Sequence, residues 1–182
     1  MAFTRCSSTS HFYLSQKLFK MIIRQAEYSD ISAINHLAHE TWWPTYTDVI
    51  PDEQIKFMLE DMYSEKALKT QIESGITFLI AEREDKPVAF AAYSPSDPAS
   101  HTFKLQKLYV LPSEQGMGTG KKLISEVSKM AKKSHGKILE LNVNRNNPAF
   151  EFYKKLGFDV YKSVDIPYNS YVLNDYVMRI SL

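Results

Sequence analysis

Half of the chain's six glycines fall within five residues, at Gly116, Gly118 and Gly120, and a long amphipathic pattern starts immediately after them. In Gln115-Gly116-Met117-Gly118-Thr119-Gly120 side chains are missing where the chain must turn. Successive N–H groups at a helix N-terminus form a cradle for an anion, and glycine lets phosphate oxygens approach without a Cβ in the way. A diphosphate is the natural guest. Beyond the loop, Leu123, Ile124, Val127, Met130 and Ala131 recur at helical spacing, and Lys132, Lys133 and His135 precede a stop at Gly136.

Spacing separates this loop from two better-known phosphate cradles. A P-loop requires glycine where Gln115 stands and serine or threonine where Lys122 stands. A dinucleotide fingerprint requires G-x-G-x-x-G near the first strand of a parallel sheet, whereas Gly116-x-Gly118-x-Gly120 has a shorter final gap and lies late in the chain. Neither fits. The pattern that remains is Q-x-x-G-x-G.

The strand feeding the loop, Phe103 to Leu111, changes phase: Phe103 and Leu105 alternate in one register, Leu108 and Val110 in the other. An inserted residue, a β-bulge near Lys107, accounts for the change. Upstream, a strand opens at Met21-Ile22-Ile23-Arg24-Gln25. A helix capped by Ser29 carries Ile31, Ile34, Leu37 and Ala38 on one face and is expected to end at Pro44. Asp52 to Tyr63 and a short segment from Ser64 to Gly75 read as further helices, and Ile76 to Glu82 with Val88 to Tyr93 as a hairpin. Downstream come a strand from Ile138 to Val143, a helix from Pro148 to Leu156 capped by Asn147 and stopped by Gly157, and strands Phe158 to Tyr161 and Tyr171 to Ile180. The order is β-αα(α)-βββ-α-β-α-ββ, a mixed α/β layout.

Composition narrows the class. The single cysteine, Cys6, allows no internal disulfide, and no apolar run reaches the roughly 18 residues of a membrane span, so the reading is a cytoplasmic protein without a membrane partner. Residues 1–20 hold Arg5, Lys17 and Lys20 and no acid. Removing those three from the 22 bases leaves 19 against 21 acids, which argues against a nucleic-acid partner. Residues 1–20 read as a disordered N-terminal extension; their Ser/Thr-rich, acid-free composition equally suits a transit peptide, a tail or an upstream start. His36-x-x-His39-Glu40 matches neither zinc-helix pattern, so no metal is expected.

Two motifs resemble those of the GNAT N-acetyltransferase family, over residues 21–182. One is Leu108-Tyr109-Val110-Leu111-Pro112 followed by Gln115-x-x-Gly118-x-Gly120-x-x-Leu123. The other is Asn146-x-x-Ala149-x-x-x-Tyr153-x-x-Leu156-Gly157-Phe158. The resemblance implies a GNAT domain with a mixed, twisted sheet whose central strands splay apart, flanked by helices. It implies acetyl-CoA as cosubstrate, its pyrophosphate held by Gln115, Gly116, Met117, Gly118, Thr119, Gly120 and Lys121. The pantetheine arm would meet Leu108, Tyr109, Val110 and Asn146, with one backbone N–H polarising the thioester carbonyl.

By the same resemblance Tyr153 would protonate the departing thiolate. Its competing role is structural: with Gly157 at C′, Tyr153 and Phe158 form the apolar contact of a Schellman ending. Relatives carry a carboxylate base on the bulged strand, where this chain has Lys104, Gln106 and Lys107. Glu140 is the alternative, and the base stays unassigned. Trp42, Trp43 and Tyr46 fall where the family places the acceptor entrance. Seven acids between Glu40 and Glu65, against Lys56 alone, would draw a cation such as a polyamine if that segment rims the cleft. The expected partner is therefore a primary amine on a small molecule or peptide, with a homodimer left open. The rival is a CoA-binding module that has lost catalysis.

Overall fold

Alternation in two neighbouring strands decides where the layers go. In β2 (Thr77–Arg83) Phe78 and Ile80 face one side and Leu79 and Ala81 the other; in β3 (Lys86–Asp97) Phe90 and Ala92 oppose Ala89 and Ala91. All are buried, so the sheet must be covered on both faces. In the computed structural model, which describes residues 21–182, three helices cover the first face: α1 (Ile31–Tyr46), α2 (Asp52–Tyr63) and α3 (Glu65–Glu73). Ile34, Leu37, Ile55, Leu59 and Leu68 pack there. The second face is covered by α4 (Thr119–Lys133) and α5 (Ala149–Lys155) through Leu123, Val127, Ala131 and Tyr153. The expectations for residues 1–20 lie outside the described residues.

The sheet is completed by β1 (Met21–Gln25), β4 (Thr102–Val110), β5 (Ile138–Asn144), β6 (Asp159–Tyr168) and β7 (Tyr171–Ser181). Its order is β1-β2-β3-β4-β5-β7-β6, and β4 with β5 is the parallel pair in an otherwise antiparallel sheet. The expected mixed α/β fold is the observed one.

Several boundaries differ from the sequence reading, each for a local reason. Pro44 does not end α1; the helix runs through it to Tyr46. Pro44 leaves the carbonyl of exposed Glu40 without its helical donor, and the hydroxyls of Thr41 and Thr45 donate to the carbonyls of Leu37 and Thr41 at 2.7 Å. Burial of Trp42 across this turn outweighs the lost bond. The helix entrance lies two residues before Ser29, where Glu27 and Asp30 form a capping box around a short 3-10 turn. The hairpin between β2 and β3 turns on Glu84 and Asp85, both at positive φ, so β3 begins at Lys86 rather than after Pro87. Finally, β6 runs on past Tyr161 to Tyr168, because it pairs with β7 on both sides of an irregularity at Tyr161.

Candidate active site

A bulge and a missing strand partner together open the site. Along β4, Ala92 faces Lys107 and Tyr93 faces Leu105, leaving Gln106 as the extra residue. The phase change is repaired by this insertion: Phe103, Leu105, Leu108 and Val110 all pack toward α4, while Tyr109 packs with α1 and α2. Pairing with β5 covers Thr102 to Leu105 opposite Ile138 to Leu141 and goes no further. From Gln106 to Val110 the edge of β4 that looks toward β5 therefore carries backbone groups without a strand partner. That cleft is a V between β4 and β5, the splaying of central strands that the resemblance implies.

At the mouth of the V on the α4 side lies the glycine loop. Gly116 and Gly118 have φ of +78° and +81°, a left-handed backbone that favours glycine. A Cβ built on either would meet nothing within 4 Å, so the space above the loop is open to a ligand. Gly120 serves packing instead, since a Cβ there would approach Phe152 to 3.2 Å. Gln115, Met117 and Lys121 are exposed around the same opening. Thr119 is buried, with its hydroxyl donating to Glu114 at 2.9 Å, which leaves its backbone as the part available to a ligand.

Glu114 was not singled out from the sequence, yet it anchors the loop. Its buried carboxylate accepts from Arg83 Nε at 2.7 Å and Nη2 at 2.9 Å. The Arg83 bonds, aided by Thr119, hold it below the usual carboxylate range. One ion pair thus ties the end of β2 to the first residue of α4. A glutamate two residues before a glycine cluster is the available signal, but its partner is 31 residues away.

Across the V, Asn146 is exposed at the β5–α5 connection, and its N–H is bonded to Asn144 Oδ1 at 2.9 Å. The buried asparagine is its neighbour Asn147, whose Oδ1 accepts from Ala149 N at 2.8 Å and caps α5. Tyr153 lies in the core. The Schellman bonds are present, Phe158 N–H to Tyr153 O at 3.1 Å and Gly157 N–H to Lys154 O at 3.0 Å, and the two rings meet edge-on at 5.8 Å. Burial pushes the Tyr153 phenol above its ordinary value, so it holds its proton more firmly than a free phenol.

The opposite wall, facing α1 and α2, is aromatic. Trp42, Tyr46, Tyr63 and Tyr109 stack with centroid separations of 4.6 to 6.0 Å. Burial raises the phenols of Tyr46, Tyr63 and Tyr109, which remain neutral donors and acceptors at physiological pH. The hairpin of β6 and β7 closes this wall, with Tyr171 and Tyr168 against Phe57 at 5.7 and 6.3 Å and the Tyr168 hydroxyl donating to Asp61. Lys107 enters from β4, its Nζ 4.7 Å above the Tyr63 ring. Asp175 of β7 is buried nearby and raised by that burial. Tyr63, Tyr109 and Asp175 come from three elements, and no spacing in the sequence links them. Glu140 is not free: Arg179 donates to it at 2.7 Å, at a point where β4 and β5 are still paired. His36 and His39 are exposed, and among the described residues no cluster of metal-binding side chains is gathered.

Residues 44–166 match the family described as "Acetyltransferase (GNAT) domain". The chain belongs to the GNAT acetyltransferases. As such it is an acetyl-CoA-dependent N-acetyltransferase. The spermidine N(1)-acetyltransferase of Thermoplasma acidophilum is 28% identical over 144 residues, 76% of this GNAT chain and 88% of that protein. The crystal structure of PaiA N-acetyltransferase from T. acidophilum in complex with coenzyme A has a TM-score of 0.78 at 26% identity, covering 90% of this chain and 99% of the other. A GCN5-related N-acetyltransferase from Rhodopseudomonas palustris shares the fold, with a TM-score of 0.76 over 91% and 98% of the two chains at 23% identity.

Proposed function

We propose that this GNAT enzyme acetylates a primary amine of a small molecule by direct attack in a ternary complex, with a polyamine as the first acceptor to try. The observation that carries the reading is the aromatic wall, where the amino nitrogen of Lys107 already sits over the Tyr63 ring, the position an acceptor's amine would take against a neighbouring face. Aromatic faces attract cations more strongly once water is excluded. The relative named for spermidine acetylation supports the same acceptor class. Acetyl-CoA supplies the activated acyl group. The amides around Gly116 and Gly118 would bind its pyrophosphate, and the free edge at Leu108 to Val110 would take its pantetheine amides and direct one N–H at the thioester oxygen. Asn146 would touch the arm from the other side. Tyr153 would return a proton to the leaving sulfur.

Release of free thiol from acetyl-CoA, followed with spermidine and a panel of other amines, tests this reading. Amine-dependent release with acetylated product by mass spectrometry is expected. Tight CoA binding with no amine acetylated would favour the degenerate binding module instead.

A further inference from the structure

The chain lacks the carboxylate expected on the bulged strand, and what stands there is a lysine without an acid. We infer that Lys107 is the base that takes the proton from the acceptor ammonium before attack; this rests on the acetyl-transfer reading above. The bulge at Gln106 is what makes the placement possible. Without the extra residue Lys107 would share the face of Leu105, toward α4; with it, Lys107 and Tyr109 share the acceptor wall.

The surroundings of Nζ disfavour its charge. The side chain as a whole is half-buried while its amino end is enclosed by protein, and burial alone lowers it to about 8. The ionisable groups that act on the Tyr63 face are phenols: Tyr109 of β4, Tyr46 of α1 and Tyr168 of β6. Two acids touch the rim of this wall, Asp61 through Tyr168 and Asp175 through Tyr46, and among the described residues none forms an ion pair with Lys107. A neutral amine is thus available near physiological pH. A second cation entering the cleft cannot share it comfortably with a charged lysine, which favours passing one proton between them.

Lys107 Nζ takes one proton from the acceptor ammonium, and the freed nitrogen pair forms the C–N bond as the C–S bond breaks with its electrons on sulfur. Sulfur takes a proton, and the nitrogen gives up its second one in replacement. Lys107, now charged, rests on the Tyr63 face and returns its proton to water.

Two measurements on the full chain test the inference. In protein labelled with 13Cε-lysine, one NMR signal, absent in K107M, should titrate near pH 8; titration above about 10, the ordinary lysine range, would overturn it. With acetyl-CoA and spermidine, K107M should lose about 100-fold or more in kcat while keeping acetyl-CoA affinity. K107R carries a permanent charge and should be equally impaired; wild-type turnover by K107R would overturn the base. Acetylation of Lys107 itself on incubation with acetyl-CoA alone would also overturn it, by making the residue a nucleophile. An amine panel left untouched by wild-type protein whose Lys107 titrates near 8 would defeat the functional reading, and the base with it.

Discussion

The glycine loop and the aromatic wall stand on opposite faces of one sheet, linked by β4, and they are made of different material. The loop offers backbone: two glycines at positive φ, open space above them, and a helix N-terminus. The wall offers side chains, drawn from α1, α2, β4, β6 and β7. On the proposed reading a ligand common to a whole family would be matched by main-chain amides, which any substitution outside the loop leaves in place. An acceptor would be matched by rings and one amine, each replaceable singly. Changes to the loop should therefore act on cofactor binding, and changes to the wall on turnover and acceptor choice.

The largest effect should come from Gly118→Val. No neighbour lies within 4 Å of a Cβ there, so the domain has room for the side chain, while the left-handed backbone costs it on the order of 1–2 kcal/mol. The same methyls would fill the approach to the amides. Calorimetry should find acetyl-CoA binding lost in a protein that still unfolds cooperatively a few degrees lower. Unchanged affinity in the folded variant would break the division of labour between loop and wall.

A smaller effect is expected at Tyr153, the residue that touches both descriptions. If it returns the proton to sulfur, Tyr153→Phe should lower kcat by about 10- to 1,000-fold with acetyl-CoA affinity retained. Removing the hydroxyl keeps the ring against Phe158, so thermal stability should not move. The raised phenol value makes donation harder than for a free tyrosine, which places the expected loss toward the lower end. A variant with wild-type turnover, where chemistry limits the rate, would leave Tyr153 as a Schellman residue only.

The same division explains what could be read in the sequence. Backbone features leave local marks: glycines for positive φ, a broken alternation for the bulge, Asn147 and Gly157 for the two ends of α5. Those were legible, the bulge to within one residue. Pro44 was misread because a local penalty was outweighed by the tertiary burial of Trp42, which no window around the proline reveals. The wall was illegible for the same reason. Tyr63 and Tyr109 lie 46 residues apart and meet only because β4 changes phase after Gln106.

The smallest effect, and the finest test of the comparison, concerns Glu114, a side chain in the service of a backbone site. Its folded-state pKa lies below the ordinary 4.5, chiefly through Arg83, so its contribution to stability is present above 4.5 and is lost as pH falls through the folded value. Glu114→Gln keeps the shape and one acceptor oxygen but removes the charge that Arg83 and Thr119 address. At pH 7 the loss should be about 1–3 kcal/mol, the scale of hydrogen bonds to a charged group, or a few degrees in Tm for a chain of this size. Acetyl-CoA affinity should drop only several-fold, because the amides of the loop survive even when its tether to β2 is slack. The sign of the pH dependence separates this from a plain packing defect. Wild-type stability should fall on acidification below 4.5 while the variant, with no proton to take up there, loses less, so the gap narrows. A gap in Tm that stays constant from pH 7 to pH 3 would mean that the charge of Glu114 is not what fastens the loop.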